Sequence, residues 1–197
     1  MGESNPMISE CELTDLIRGC SDEQFNRDHL FQNTPWYFER DDAPCTYDRF
    51  RSNIGSVFGI KPSEVALVGS GYFGRSLSPS KPFKEYRPRS DLDVVIVSEY
   101  YFEKIWIDLL QAYYAGYTQS LENYSNTIFK RFVSFDNKIT ISSKWLLDIV
   151  KLNNDVNFVA TSRLRLKNKM KFRVYRNWDD VIAYQNWSLS ILRKKIK

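Results

Sequence analysis

The chain has 197 residues, 43% hydrophobic and 26% charged, with a net charge of +4, the balance of a folded protein of one domain. One histidine, His29, and three scattered cysteines, Cys11, Cys20 and Cys45, exclude a zinc ribbon and a disulfide framework and leave histidine-based hydrolysis a single candidate. No apolar run approaches a membrane span, and the N-terminal MGESNPMISE has no charged-then-apolar leader, so a cytoplasmic protein without a membrane partner is expected.

The first sixty residues are predicted helical. CELTDLIRG places Leu13, Leu16 and Ile17 on one side, and SDEQFNRDHLF follows with Ser21 and Asp22 as candidate N-caps. TPWYFERDDAP breaks the pattern with two prolines. TYDRFRSNIGSVFGI spaces Phe50, Ile54, Val57 and Phe58 for burial and closes at Gly59. Val65 to Val68 reads as a short buried strand running into Gly69. Residues 71–90 read as a loop, broken by Gly71, Gly74, Pro79, Pro82 and Pro88. Leu92 to Val97 is a second apolar strand. Residues 100–116 predict an amphipathic helix that turns Phe102, Trp106, Leu109, Leu110 and Tyr113 to the core. Residues 120–135 predict another helix, and 142–154 a third, capped by Ser142 or Ser143. KMKFRVYR is a further strand, with Phe172 and Val174 alternating against Arg173 and Tyr175. A final helix starts from Asn177 as N-cap, with Asp179 and Asp180 in the first turn, where the helix dipole favours them.

The expected fold is therefore α/β (α+β), a small mixed sheet flanked by helices. It forms one domain over residues 1–197, with a helical N-terminal portion to about residue 60 and a basic strand and helix from about residue 163.

With histidine and cysteine chemistry set aside, carboxylates remain. On a strand, residues i and i+2 share a face, so Asp91 and Asp93 project side by side at the start of a buried strand. Two such charges repel unless something compensates, and oxygen ligands favour Mg²⁺ or Mn²⁺. The turn at Gly69-Ser70 supplies a complement. Gly69 lets backbone approach a ligand closely, and Ser70 offers a hydroxyl and an N–H to a phosphate. One element would take a triphosphate and the next a metal, the equipment of phosphoryl or nucleotidyl transfer.

The segment Gly69-Ser70 to Ser90-Asp91-Leu92-Asp93-Val94 resembles the active-site signature of the DNA polymerase β-type nucleotidyltransferases. In that signature a helix and strand lead to a Gly-Ser turn, and an Asp-x-Asp lies on the next strand. Gly74-Arg75-Ser76 is similar to the pattern that follows the turn in minimal members. The likeness covers residues 44–116 best. It implies transfer of a nucleoside monophosphate from an NTP, ATP being the expected one, to a hydroxyl on a protein or nucleic acid. Asp91 and Asp93 would hold Mg²⁺ or Mn²⁺, and Gly69, Ser70, Arg75 and Ser76 would bind the nucleotide. Small members of the superfamily include antitoxins that adenylylate a partner toxin, so a toxin or an RNA is an expected acceptor.

Two departures stand out. The interval Gly71 to Arg89 is long and carries Lys81, Lys84, Arg87 and Arg89. The third carboxylate that the family places on a later strand has no clear counterpart. Asp136 and Asp148 fall outside any clean apolar strand, and KMKFRVYR carries Arg173 where an acid is wanted. The alternative is a catalytically degenerate module that binds nucleotide or nucleic acid without turnover.

The net charge is unevenly spread. Residues 163–197 hold eleven Lys or Arg against two acids, +9, and the rest of the chain is −5. RLRLKNKMKFRVYR puts basic residues at alternate positions, giving either a solvated face or a stripe for phosphates. His29, between Asp28 and Leu30, is expected on a helix surface, away from the chemistry.

Overall fold

The structure is a computed structural model that describes residues 7–117, 121–135 and 143–196. Local signals set most of its boundaries. Helix α1 (Glu10–Gly19) starts from a capping box in which Ser9 and Glu12 each bond the other's backbone N–H. Helix α2 (Asp22–Phe25) starts in the same way from Ser21 and Gln24, and runs on into a π-helical turn, Asn26–Leu30. Helix α3 (Trp36–Glu39) is one turn inside the stretch expected to be a break; Pro35 precedes it with a fixed φ, which favours a helix start. Helix α4 (Tyr47–Phe58) is capped by Thr46 and ends at Gly59, whose left-handed φ of 64° suits glycine.

The sheet has four strands, β1 (Val65–Val68), β2 (Leu92–Val97), β3 (Phe132–Phe135) and β4 (Met170–Tyr175), in spatial order β1-β2-β4-β3. β1 runs antiparallel to β2, β2 parallel to β4, and β3 antiparallel to β4. A single turn, α5 (Ser70–Phe73), follows β1. The parallel step from β2 to β4 requires a long crossover. Helices α6 (Glu99–Tyr114), α7 (Glu122–Phe129) and α8 (Ser143–Phe158) provide it, with β3 between α7 and α8. Helix α9 (Trp178–Lys195) closes the chain behind its Asn177 cap.

The expected α+β class holds, and the sheet lies between two helical layers. On one face Val65, Leu67, Leu92, Val94, Ile96, Phe172 and Val174 pack with α4, α6 and α8 through Phe50, Ile54, Ile105, Leu109 and Val156. On the other face Ala66, Val68, Val95, Val97, Phe132 and Tyr175 pack with α1, α2 and α9 through Leu13, Ile17, Phe25, Val181 and Leu192. Burial on both faces explains why LDVVIV is a nearly unbroken apolar run. Each of Val94, Val95 and Ile96 is fully buried and contributes about 1.5–3 kcal/mol.

Two expectations are corrected. Residues 120–135 are not one helix; Arg131, at a φ of 61°, ends α7's run, and Phe132–Phe135 pairs with β4 as an edge strand. On α6 the buried face is Ile105, Leu109 and Ala112, while Trp106 and Tyr113 are 40% and 55% exposed. An aromatic-rich helix shows the same periodicity on two faces, and only packing selects the inner one. Asp136 and the Ser142 cap lie outside the described residues.

One buried charge ties the last elements together. Asp180 in the first turn of α9 is buried, and one oxygen accepts from Arg131 Nη1 at 3.0 Å. The other oxygen lies 4.0 Å from Arg176 Nε. Asp180 thus pins α9 to the turn before β3 and to the end of β4. Asp180→Ala would leave the tie unmade and is expected to lower stability by about 1–3 kcal/mol. The shift of the urea midpoint at unchanged slope measures it.

Candidate active site

The antiparallel register of β1 and β2 sets Val68 opposite Asp93, so Gly69 emerges from β1 beside that carboxylate. Gly69 has φ 70° and ψ −148°, a region essentially confined to glycine. A Cβ on Gly69 would lie 2.8 Å from Asp93 Oδ2. Conformation and space therefore demand the same residue. Ser70 follows as the first residue of α5, and the Tyr72 N–H closes the turn on the Gly69 carbonyl at 3.1 Å. The sequence places the Gly-Ser turn and the Asp-x-Asp on separate segments, and strand pairing brings them into contact.

Asp91 and Asp93 stand at the N-terminal mouth of β2, with side chains 31% and 26% exposed. The parallel register with β4 puts Lys171 opposite Asp93 and Arg173 opposite Val95. Lys171 Nζ is 2.7 Å from Asp91 Oδ2, and Arg173 Nη2 is 3.5 Å from Asp93 Oδ1. Each carboxylate therefore faces a cation of its own. The Arg173 guanidinium also lies over the rings of Phe132 and Tyr184, at 5.6 and 5.5 Å. Burial works against its charge, but the Asp93 carboxylate, then Tyr175 and Tyr184, outweigh burial and hold its pKa above the ordinary value. Two residues along the strand, the Tyr175 hydroxyl is buried with no acceptor among the described residues, and burial pushes its pKa well up.

The other expected residues are placed differently. Arg75 bonds the Ile8 carbonyl at 2.9 Å, the Phe83 carbonyl at 3.2 Å and Glu85 Oε1 at 2.8 Å. Ser76 exchanges backbone bonds with Phe83 and Lys84 in the hairpin that the Arg75–Glu85 bridge opens. These contacts fold the long insertion and engage the Arg75 guanidinium within it. Ser90 accepts from the Arg87 N–H at 2.9 Å and so shapes the entry to β2. His29 packs on the Phe25 ring at 5.4 Å in the turn after α2, remote from β2 in its contacts. Asp148 is exposed on α8 and paired with Lys104 of α6. Those helices cover the opposite face of the sheet from the Asp93 side chain.

Lys171 as the partner of Asp91 was not anticipated. The signal was present in the parity of the two strands. DLDVVIV and KMKFRVY each start with charged residues at alternate positions, and a parallel pairing in that register must bring the charges together.

The donors near the turn, Asp91, Asp93 and the Ser70 hydroxyl, are all hard oxygens, which suits Mg²⁺ or Mn²⁺ over softer metals. Among the described residues no three His, Cys, Asp or Glu side chains group closely enough to hold an ion by themselves. Two carboxylates fit a Mg²⁺ that completes its shell from substrate phosphates and water. A groove of about 1230 Å³ is lined by Ile8, His29, Trp36, Tyr72 and Phe73 among others, and includes neither Asp91 nor Asp93. No family model, curated protein or solved structure matches the chain.

Gly69→Ala is expected to cost about 1–3 kcal/mol, because it forces an L-residue into a glycine region. It would also push the Asp93 carboxylate aside. A urea titration measures the cost as a lowered midpoint at unchanged slope.

Proposed function

We propose that the chain is a metal-dependent nucleotidyltransferase, moving a nucleoside monophosphate from an NTP to a hydroxyl on a protein or nucleic-acid acceptor. The observation that carries this reading is the contact of the Gly69-Ser70 turn with Asp93, with Asp91 beside it at the same strand mouth. Asp91 and Asp93 would hold Mg²⁺, which supplies Lewis-acid stabilisation of charge on phosphate oxygens. Gly69 leaves room for phosphate oxygens against the backbone, and Ser70 offers its hydroxyl and N–H. Lys171, with its side chain 48% exposed, can turn from Asp91 to a phosphate oxygen without leaving water. Arg173, sheltered and firmly charged, stays beside Asp93 and adds a fixed positive potential. Positioning and electrostatic stabilisation of this kind are most of what phosphoryl and nucleotidyl transfer ask of a protein.

A second reading rests on the same two cations. Where the resemblance implies a third carboxylate, β4 offers Lys171 and Arg173, which neutralise the pair. That favours a degenerate module that binds nucleotide or nucleic acid without turnover.

Incubation with Mg²⁺ and each α-labelled NTP, with RNA and with co-purified proteins, tests both. Label transfer is expected, with a loss of at least a hundredfold in Asp91→Ala/Asp93→Ala. Binding of NTP without transfer in the unaltered chain would select the second reading. Transfer that survives the double substitution would overturn the site assignment.

A further inference from the structure

The segment that leads into β4 keeps a strict alternation. Leu164, Leu166 and Met170 are buried, whereas Arg163, Arg165, Lys167, Lys169 and Lys171 are exposed. The apolar residues anchor the segment and every cation faces water. The basic residues thus stand exposed along the path of the chain into the carboxylate site. Lys171, its last member, touches Asp91.

A second basic segment lies against the first. Asn168 Nδ2 donates to the carbonyls of Pro88 and Ser90, both at 3.0 Å, and its Oδ1 accepts from the Tyr37 hydroxyl at 2.9 Å. The Leu92 N–H donates to the Lys169 carbonyl at 2.8 Å. These bonds fasten the end of the insertion, with exposed Arg87 and Arg89, to the stretch that carries Lys167 and Lys169. Among the described residues, Arg87, Arg89, Arg165, Lys167 and Lys169 make no ion pair, although many of the chain's other cations do. Unpaired charges of one sign repel, so their gathering at one edge is unfavourable until an anion arrives.

We infer that this basic rim, Arg87 and Arg89 with Arg165, Lys167 and Lys169, binds the phosphodiester backbone of a nucleic-acid strand and delivers its end to Asp91 and Asp93. The inference rests on the function proposed above and names the acceptor. A protein acceptor fits less well. Protein interfaces bury an apolar or aromatic centre poor in charge. Here the aromatic rings beneath the clamp, Tyr37 and Tyr86, are buried, and the segment on top presents cations. Nucleic-acid interfaces are polar and strongly positive. A strand end also brings the sugar hydroxyl and the flanking phosphates together.

The test is fluorescence anisotropy with end-labelled 20-nucleotide single-stranded RNA and DNA, between 50 and 200 mM salt, with a fluorescent poly-glutamate peptide as the rival. Binding to either nucleic acid is expected. Neutralising four or five phosphates on a single strand would give a slope of log K against log salt near −3. Arg87→Gln/Arg89→Gln and Lys167→Gln/Lys169→Gln alter different segments of the rim. Each is expected to weaken binding at least tenfold and to flatten the slope by about one unit. Lys151→Gln/Lys194→Gln removes as much charge elsewhere and is expected to change binding less than twofold. Circular dichroism and Mg²⁺-ATP affinity of Lys167→Gln/Lys169→Gln are expected to stay unchanged. No nucleic-acid binding at 50 mM salt, equal weakening by the control pair, or peptide binding as tight as RNA would each overturn the inference. Asp91→Ala/Asp93→Ala is expected to retain RNA binding while losing transfer. A failed transfer reading and a failed rim are thereby told apart.

Discussion

The parallel pairing of β2 with β4 is the constraint on which the rest of the structure depends. β2 is buried on both faces, and β4 is buried along one face and at Tyr175 on the other, so their register is enforced by two cores at once. A slip of one residue would turn Val94, Ile96, Phe172 and Val174 to the wrong layer. It would also part Asp91 from Lys171 and Asp93 from Arg173. The hydrophobic effect, which knows nothing of the charges, is what brings them together.

The site shows two uses of close approach. At Gly69 a missing side chain lets backbone meet the Asp93 carboxylate. At Arg173 aromatic rings and a carboxylate together hold a partly sheltered cation. The first makes room and the second fixes charge. A centre built this way sets two carboxylates against two cations, with further exposed cations along the chain that leads into it.

The insertion between β1 and β2 illustrates a division of labour within one loop. Arg75 and Ser76 fold it, through bonds to Ile8, Phe83, Lys84 and Glu85. Arg87 and Arg89 stand exposed beyond that framework. Sequence alone treats all these polar residues as equal candidates for phosphate. Only the fold separates the ones already engaged from the ones that face water.

The sequence by itself determined the α+β class, the strands at Val65–Val68, Leu92–Val97 and Met170–Tyr175, the caps at Ser21 and Asn177, and the glycine at the turn after the first strand. These are set by contacts within a few residues, where alternation, capping and glycine's φ are legible. The tertiary structure decided which face of α6 is inner, that Phe132–Phe135 is a strand, and that cations flank the carboxylates. It also decided that the basic alternation before β4 lies against the end of the insertion. Each of those depends on partners tens of residues away, and a chain read in one dimension does not carry the register that joins them.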